Sequence, residues 1–318
     1  MSTEPRTLSE AILYFANPDV ALKTMVDLRW PDGVHCPTCG RTDVKFLPTR
    51  RLWECKEKHP RKQFSAKVGT IFEDSPLGLD KWFCAIWMLA NMKNGVSSYE
   101  LHRSIGVTQK SAWFMLHRIR LAMKAGSFDK FDGTVEADET LIGGLAKNMH
   151  ADKRKKIGPI GQVGKTIVMG VLQRGNEKSA SRVRAKVIPS TRLATMRKVI
   201  HENVEPGSNL MTDEASAYKE MRREYKHQFV NHTLTYVRGM VHTNGIENFW
   251  SLLKRSLKGT YISVDPSHLH AYCDEQAFRF NERKESDGMR FRAVAGSVSG
   301  KRLTYKELIG YDEAALPA

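Results

Sequence analysis

Acidic residues stand where the chain can bring their carboxylates together. Asp138 closes the alternating stretch Thr134-Val-Glu-Ala-Asp138, Asp213 closes Asn209-Leu-Met-Thr-Asp213, and Glu247 opens the run that begins near Gly245. Carboxylates at the ends of neighbouring strands can converge, and oxygen donors of this kind suit hard divalent cations such as Mg2+ or Mn2+. A pair of such ions can stabilise both the attacking and the leaving oxygen of an in-line displacement at phosphorus. Glu136 shares a strand face with Asp138 and is a rival ligand, Glu139 faces the other way, and Glu214 is the neighbour of Asp213. Lys254 follows Glu247 by 254 − 247 = 7 positions, two helical turns along the same face. A cation there can hold a phosphate beside the metal ions, and Arg255 and Lys258 extend the basic surface.

A second constellation is soft. Cys36-Pro-Thr-Cys39 forms a knuckle followed by Gly40, and Cys55 and His59 lie one short hairpin later. Four such ligands in two pairs satisfy tetrahedral Zn2+ in a closed, structural site. His35 is a spare candidate, and ordinary buried thiols with a surface histidine are the bland alternative. The five cysteines are an odd count, which in a reducing compartment favours metal binding over disulfides. Cys84 and Cys273 sit in apolar helical surroundings and are expected in the core.

Charge names the class of partner. With 50 Lys and Arg against 35 Asp and Glu, the net charge is +15, which points to a polyanion, double-stranded DNA first. An anionic membrane would also attract it, yet the longest apolar run, around residues 82–92, is too short to span a bilayer. No secretory signal opens the sequence, so a cytoplasmic location is expected. Around the thiols lie Arg41, Lys45, Arg50, Arg51, Lys56, Lys58, Arg61, Lys62 and Lys67, of which Arg50, Arg51, Arg61 and Lys62 are candidate DNA contacts.

The elements that must position these groups follow from periodicity. Residues 8–28 read as two short helices broken at Asn17-Pro18, and residues 29–75 as a metal-stapled β module with strand pieces at 44–47, 52–55 and 63–66. Helical patterns at 81–92, 97–104 and 108–123, with Gly106 as a turn and Thr108 as an N-cap, outline a helix-turn-helix. Its second helix would offer Gln109, Lys110 and Arg118 to DNA, the reading favoured here over a helical hairpin that only joins two domains. Strands at 134–138, 166–173 and 182–188, a helix at 191–203, a strand at 209–212, a helix at 216–224, a strand at 228–231 and a helix at 245–258 follow. That order is a ribonuclease-H-like α/β fold, a mixed sheet with flanking helices. The expected domains are 1–76 (N-terminal helices and zinc ribbon), 77–126 (helix-turn-helix-like), 127–290 (catalytic) and 291–318 (C-terminal extension).

The chain resembles bacterial insertion-sequence transposases of the DDE class, in the family that joins an N-terminal zinc ribbon to a ribonuclease-H-like catalytic domain. The resemblance rests on Arg29-Trp-Pro-Asp-Gly33, Cys36-Pro-Thr-Cys-Gly40, Gln63-Phe-Ser65, Gly69-Thr-Ile-Phe72, Glu136-Ala-Asp-Glu-Thr140 with Gly143-Gly144, and Thr212-Asp-Glu214. The block His242-Thr-Asn-Gly-Ile-Glu-Asn-Phe-Trp-Ser-Leu-Leu-Lys-Arg255 is the most specific, and Phe278-Arg-Phe-Asn-Glu-Arg283 closes it. It implies that Asp138, Asp213 and Glu247 form the catalytic triad, with Lys254 as the accompanying basic residue and Asn244 and Asn248 as alternatives for the third acid. It further implies strand cleavage and 3′-hydroxyl transfer on element ends and target DNA by a homodimer or larger synaptic assembly. The ribbon departs from the family pattern, since Cys55 and His59 stand where relatives carry a second CxxC. Two rival functions share these features: a structure-selective metal-dependent nuclease, and a zinc-ribbon DNA-binding regulator with an inactive catalytic domain. The basic stretch 147–156 is a further place to grip DNA, or a solvated loop.

Overall fold

Asn17 and Pro18 break the first apolar run as their chemistry requires. Helix α1, Leu8–Phe15, starts on the Thr7 side chain, and α2, Pro18–Arg29, starts where Asn17 accepts the N–H groups of Asp19 and Val20 with proline at the first helical position. These elements come from a computed structural model describing residues 4–124, 129–143, 165–177, 179–213, 221–230 and 242–310. The chain divides into two units, Met1–Lys124 with Glu285–Ala318, and Ala125–Lys284.

In the first unit, strands β1 (Val44–Leu47), β2 (Leu52–Cys55) and β3 (Gln63–Phe64) form an antiparallel sheet in that order. So small a sheet buries little: Trp53 stacks on Phe64 and meets Trp30 edge-on, and a metal staple is the usual supplement. Three helices follow, α3 (Leu79–Asn91), α4 (Ser98–Ile105) and α5 (Gln109–Met123). A Ser97–Glu100 capping box starts α4, left-handed Gly106 ends it, and Thr108 caps α5.

The second unit is built on a five-stranded mixed sheet. Its strands are β4 (Thr134–Ile142), β5 (Thr166–Gln173), β6 (Arg182–Ile188), β7 (Asn209–Asp213) and β8 (Lys226–Val230), in spatial order β6-β5-β4-β7-β8. The first three pair antiparallel, and β7 and β8 run parallel to β4. Helix α6 (Leu193–Asn203) packs Met196, Val199 and Ile200 on one face, against Val135, Ala137, Met169, Val171 and Leu210. Helices α7 (Asn244–Ser256) and α8 (Leu269–Asn281) cover the other, with Ile246, Phe249, Trp250 and Leu253 set against Val168, Leu172 and Val183. Val168 and Leu172 lie on the α7 side while Met169 and Val171 lie on the α6 side, the period of two expected of a strand buried on both faces.

One strand is longer than its sequence pattern suggests. Asp138, expected at a strand end, is the middle of the nine residues of β4, because Thr140, Leu141 and Ile142 continue the ladder against Val168, Ile167 and Thr166. On the other edge of β4 the parallel pairing with β7 stops at Glu136 and Met211, so Asp138 lies just beyond it. The helix expected at 216–224 falls largely outside the described residues, and 221–223 form a 3-10 turn.

Residues from Glu285 onward belong to the first unit. Helix α9 (Asp287–Gly296) sets Phe291 among Phe15, Phe83 and Trp87, and α10 (Tyr305–Leu308) follows a bridge between Thr70 and Ser299. Among the described residues no helix is long and apolar enough to cross a membrane.

Candidate active site and metal centre

Asp138 is half-buried, and its Oδ2 accepts the indole N–H of Trp250 at 2.9 Å. Its partner across the antiparallel ladder is Gly170. A Cβ on Gly170 would lie 2.7 Å from Ile246 Cδ1 and from two ring atoms of Trp250, so the absent side chain lets α7 press onto the strand pair beside Asp138. On the other edge, Thr134, Val135 and Glu136 pair with Asn209, Leu210 and Met211. That pairing, at a constant offset of 209 − 134 = 75, ends at Glu136 and Met211, two residues before Asp138 on one strand and before residue 213 on the other.

Glu247 is exposed in the first turn of α7, and Thr243 Oγ1 donates to its Oε1 at 2.8 Å. Lys254 is half-buried two turns further on, with Arg255 and Lys258 exposed beyond it. Asn244 and Asn248, the alternatives for the third acid, are exposed on the same turn. The Asp213 side chain, Glu214, Gly144 and the basic stretch 147–156 lie outside the described residues.

Glu136, the rival ligand on the Asp138 face, is only 1% exposed and fully engaged. Its Oε1 accepts Arg174 Nε at 2.6 Å, and its Oε2 accepts the backbone N–H of Ile246 at 2.8 Å. A buried carboxylate holding a guanidinium and a helix N-terminus is tied to the protein rather than open to a cation. From sequence, Trp250, Arg174 and Gly170 carry no site role, and Gly245 reads only as the start of a helix. The readable signal was an isolated glycine inside each of two regular elements, a mark of close backbone approach.

The candidate DNA contacts divide by environment. Arg61 and Lys62 are exposed, Arg50 donates to Gln63 Oε1, and Arg51 pairs with Asp19 at 2.7 Å. Gln109 donates to Ser98 Oγ, and Lys110 is exposed above the Tyr305 ring. Arg118, expected to face DNA, is instead 5% exposed, and its guanidinium donates to the carbonyls of Ile71, Glu73 and Leu303. Orphan carbonyls within the protein claim this arginine, and burial lowers its pKa.

In the ribbon, the ligand atoms of Cys36, Cys39, Cys55 and His59 all lie within 4.8 Å of one another. Cys36 Sγ is 3.4 Å from His59 Nε2, and Cys39 Sγ is 3.6 Å from Cys55 Sγ. Tetrahedral zinc, with Zn–S of about 2.3 Å and Zn–N of about 2.0 Å, demands spacings of about 3.8 and 3.5 Å, so the donor set fits structural Zn2+. His59 Nδ1 donates to the Pro60 carbonyl at 2.7 Å, which leaves the Nε2 lone pair for the cluster. Burial raises the Cys36 thiol, but hydrogen bonds from the Cys39 and Thr38 backbone and from the neighbouring thiols outweigh it and bring its pKa down to about 7. Burial also raises Cys55. His35, the spare candidate, packs edge-on against Trp30 and stands outside the cluster. Cys84 is half-buried and raised by burial; Cys273 is fully buried and pushed up to about 12.

Comparison with known proteins finds a match to each of two segments of the chain. Residues 130–281 match the family described as an ISXO2-like transposase domain, and residues 17–59 match a transposase zinc-ribbon domain. A protein of the transposable element ISH50 of Halobacterium salinarum is 25% identical over 256 residues, covering 76% of this chain and 84% of the relative. A transposase-like protein of Haemophilus influenzae is 31% identical over 115 residues, 35% of this chain and 93% of the relative. The chain belongs to the family of insertion-element transposases that carry a transposase zinc ribbon and an ISXO2-like transposase domain.

Proposed function

We propose that this transposase binds the ends of its insertion sequence and carries out metal-dependent strand cleavage followed by 3′-hydroxyl strand transfer, with Asp138, Asp213 and Glu247 as the metal-binding triad. The observation that carries the reading is the seating of α7. Its Trp250 donates to Asp138 while Glu247 stands in the turn before, and residue 213 ends the strand beside Asp138. Carboxylate oxygens from two strands and one helix are the hard donor set that Mg2+ or Mn2+ prefers, and Glu247 is exposed to receive it. The sheet order β6-β5-β4-β7-β8, with a meander of three and two parallel additions, supports a ribonuclease-H-like fold.

When bound, a pair of divalent ions would supply charge stabilisation at the attacking and leaving oxygens of the displacement. The chain's own residues do the rest. Trp250 fixes the orientation of Asp138 through its Oδ2. Thr243 restrains Glu247, and Lys254, Arg255 and Lys258 would hold the DNA backbone along α7 and just beyond its end. In cleavage, a water oxygen bonds to phosphorus and the 3′ oxygen leaves as a hydroxyl. In transfer, that hydroxyl bonds to the phosphorus of a target phosphodiester and the target's own 3′ oxygen leaves as a hydroxyl, so no covalent enzyme intermediate is needed. The ribbon and the pair α4–α5, read as a helix-turn-helix, would recognise element ends, and holding two ends together calls for a dimer or larger assembly.

The test uses duplex DNA from the borders of the gene, where the element's ends lie. The protein should nick it only with Mg2+ or Mn2+, and Asp138→Asn should abolish nicking while leaving end binding intact. Nicking by Asp138→Asn at the parental rate would overturn the triad.

A further inference from the structure

The first turn of α7 is capped in an unusual way. Thr243 occupies the N-cap position, where its hydroxyl would ordinarily accept the backbone N–H of Ile246, the third helical residue. Its side chain makes no cap bond and instead donates to Glu247 Oε1. The vacated N–H of Ile246 is taken by Glu136 Oε2, a buried carboxylate reaching from the central strand. The other oxygen of Glu136 holds Arg174, whose NH2 donates to the His242 carbonyl at 2.6 Å and sits 2.9 Å from His242 Nδ1.

The residues before and inside the helix start are therefore both fastened to the strand pair. A cheaper cap was available locally, so the buried charge is spent on location. Four residues of helix rise about 6.0 Å and two residues of strand about 6.6 Å, so the contacts Glu136–Ile246 and Asp138–Trp250 fall at matched intervals. Glu247 lies between these two pins. Gly245 completes the fit, because a Cβ there would stand 2.8 Å from Glu136 Oε2 and 3.1 Å from Leu172 Cδ2.

We propose that Glu136, with Arg174 and His242, is a positioning residue: it caps α7 from the sheet, frees Thr243 to orient Glu247, and so fixes the distance from Glu247 to Asp138. The inference rests on the reading of Glu247 as a metal ligand. Partners behind a metal ligand change affinity by about 10–100-fold when removed.

The experiment measures Mn2+ binding to the full, zinc-loaded chain by the electron paramagnetic resonance of free Mn2+, with thermal unfolding in parallel. Glu136→Gln should weaken Mn2+ binding about 10–100-fold, and adding it to Glu247→Gln should have no further effect, since it acts through that residue. Gly245→Ala keeps every charge and raises helix propensity, yet should weaken Mn2+ binding in the same way; it decides the matter if Glu136→Gln does not fold. Parental binding in a folded Glu136→Gln or in Gly245→Ala, beside weakened binding in Glu247→Gln, would overturn the inference alone. Parental binding in Glu247→Gln would overturn the ligand reading and the inference with it.

Discussion

Replacing Gly170 with alanine tests how closely α7 approaches the sheet. In an unobstructed strand the change would stabilise by about 0.5–1 kcal/mol, because glycine loses more backbone entropy on folding. Here the new Cβ would meet Ile246 Cδ1, Trp250 Cη2 and Trp250 Cζ2, each at 2.7 Å. The isoleucine terminus can turn aside; the indole cannot without withdrawing its N–H from Asp138. Overpacking of this kind costs about 1–3 kcal/mol, which leaves a net loss of about 0–2.5 kcal/mol after the entropic gain, centred near 1 kcal/mol. For a unit of this size each kcal/mol is a fall of about 2–4 °C in its melting temperature. Differential scanning calorimetry reads it directly, and in a Trp250→Phe background the same alanine should cost at least about 1 kcal/mol less. A melting temperature above the parent's would refute the close approach on which the site geometry depends.

Metal analysis should find a single zinc per chain, and Cys55→Ser or a strong chelator should unfold the β1–β3 ribbon, as circular dichroism would show, because so small a sheet draws about 10–16 kcal/mol from its metal. The His227 pKa is lowered by burial and then by Arg222, so the folded unit favours the neutral ring. Its stability is then complete above the ordinary value of 6.5 and is lost as pH falls below it, where the unfolded chain takes up the proton first; His227→Gln should flatten that part of the melting-temperature profile. Arg118→Ala should destabilise by about 2–4 kcal/mol in thermal melts without changing the salt dependence of DNA binding. Lys254→Ala should do the reverse, lowering the slope of log affinity against log salt by about 1.

The alternation of Thr134 to Asp138 and the apolar run from Thr166 to Gln173 were enough to read the strands, and the thiol spacing enough to read the ribbon, because these signals are local. What stayed hidden was tertiary. The extension of β4 to Ile142 depends on residues 166–168 across the ladder, and no short-range pattern distinguishes it from the start of a loop. Glu136 and Asp138 look alike as acids on one strand face; only the arrival of α7, more than a hundred residues later, makes one a helix anchor and the other the half-buried partner of Trp250. Arg118 carries the charge of a DNA contact, and its burial follows from carbonyls at residues 71, 73 and 303. The return of Phe291 to a core with Phe15 and Phe83 is long-range in the same sense.

The account is tested most directly by strand transfer. A labelled duplex carrying the element's own exposed 3′-hydroxyl end is incubated with the protein, Mg2+ and a supercoiled plasmid. The account predicts label joined covalently to the plasmid, and no joined product with Asp138→Asn or Glu247→Gln. Hydrolysis without joining, or joining that survives both substitutions, would contradict it.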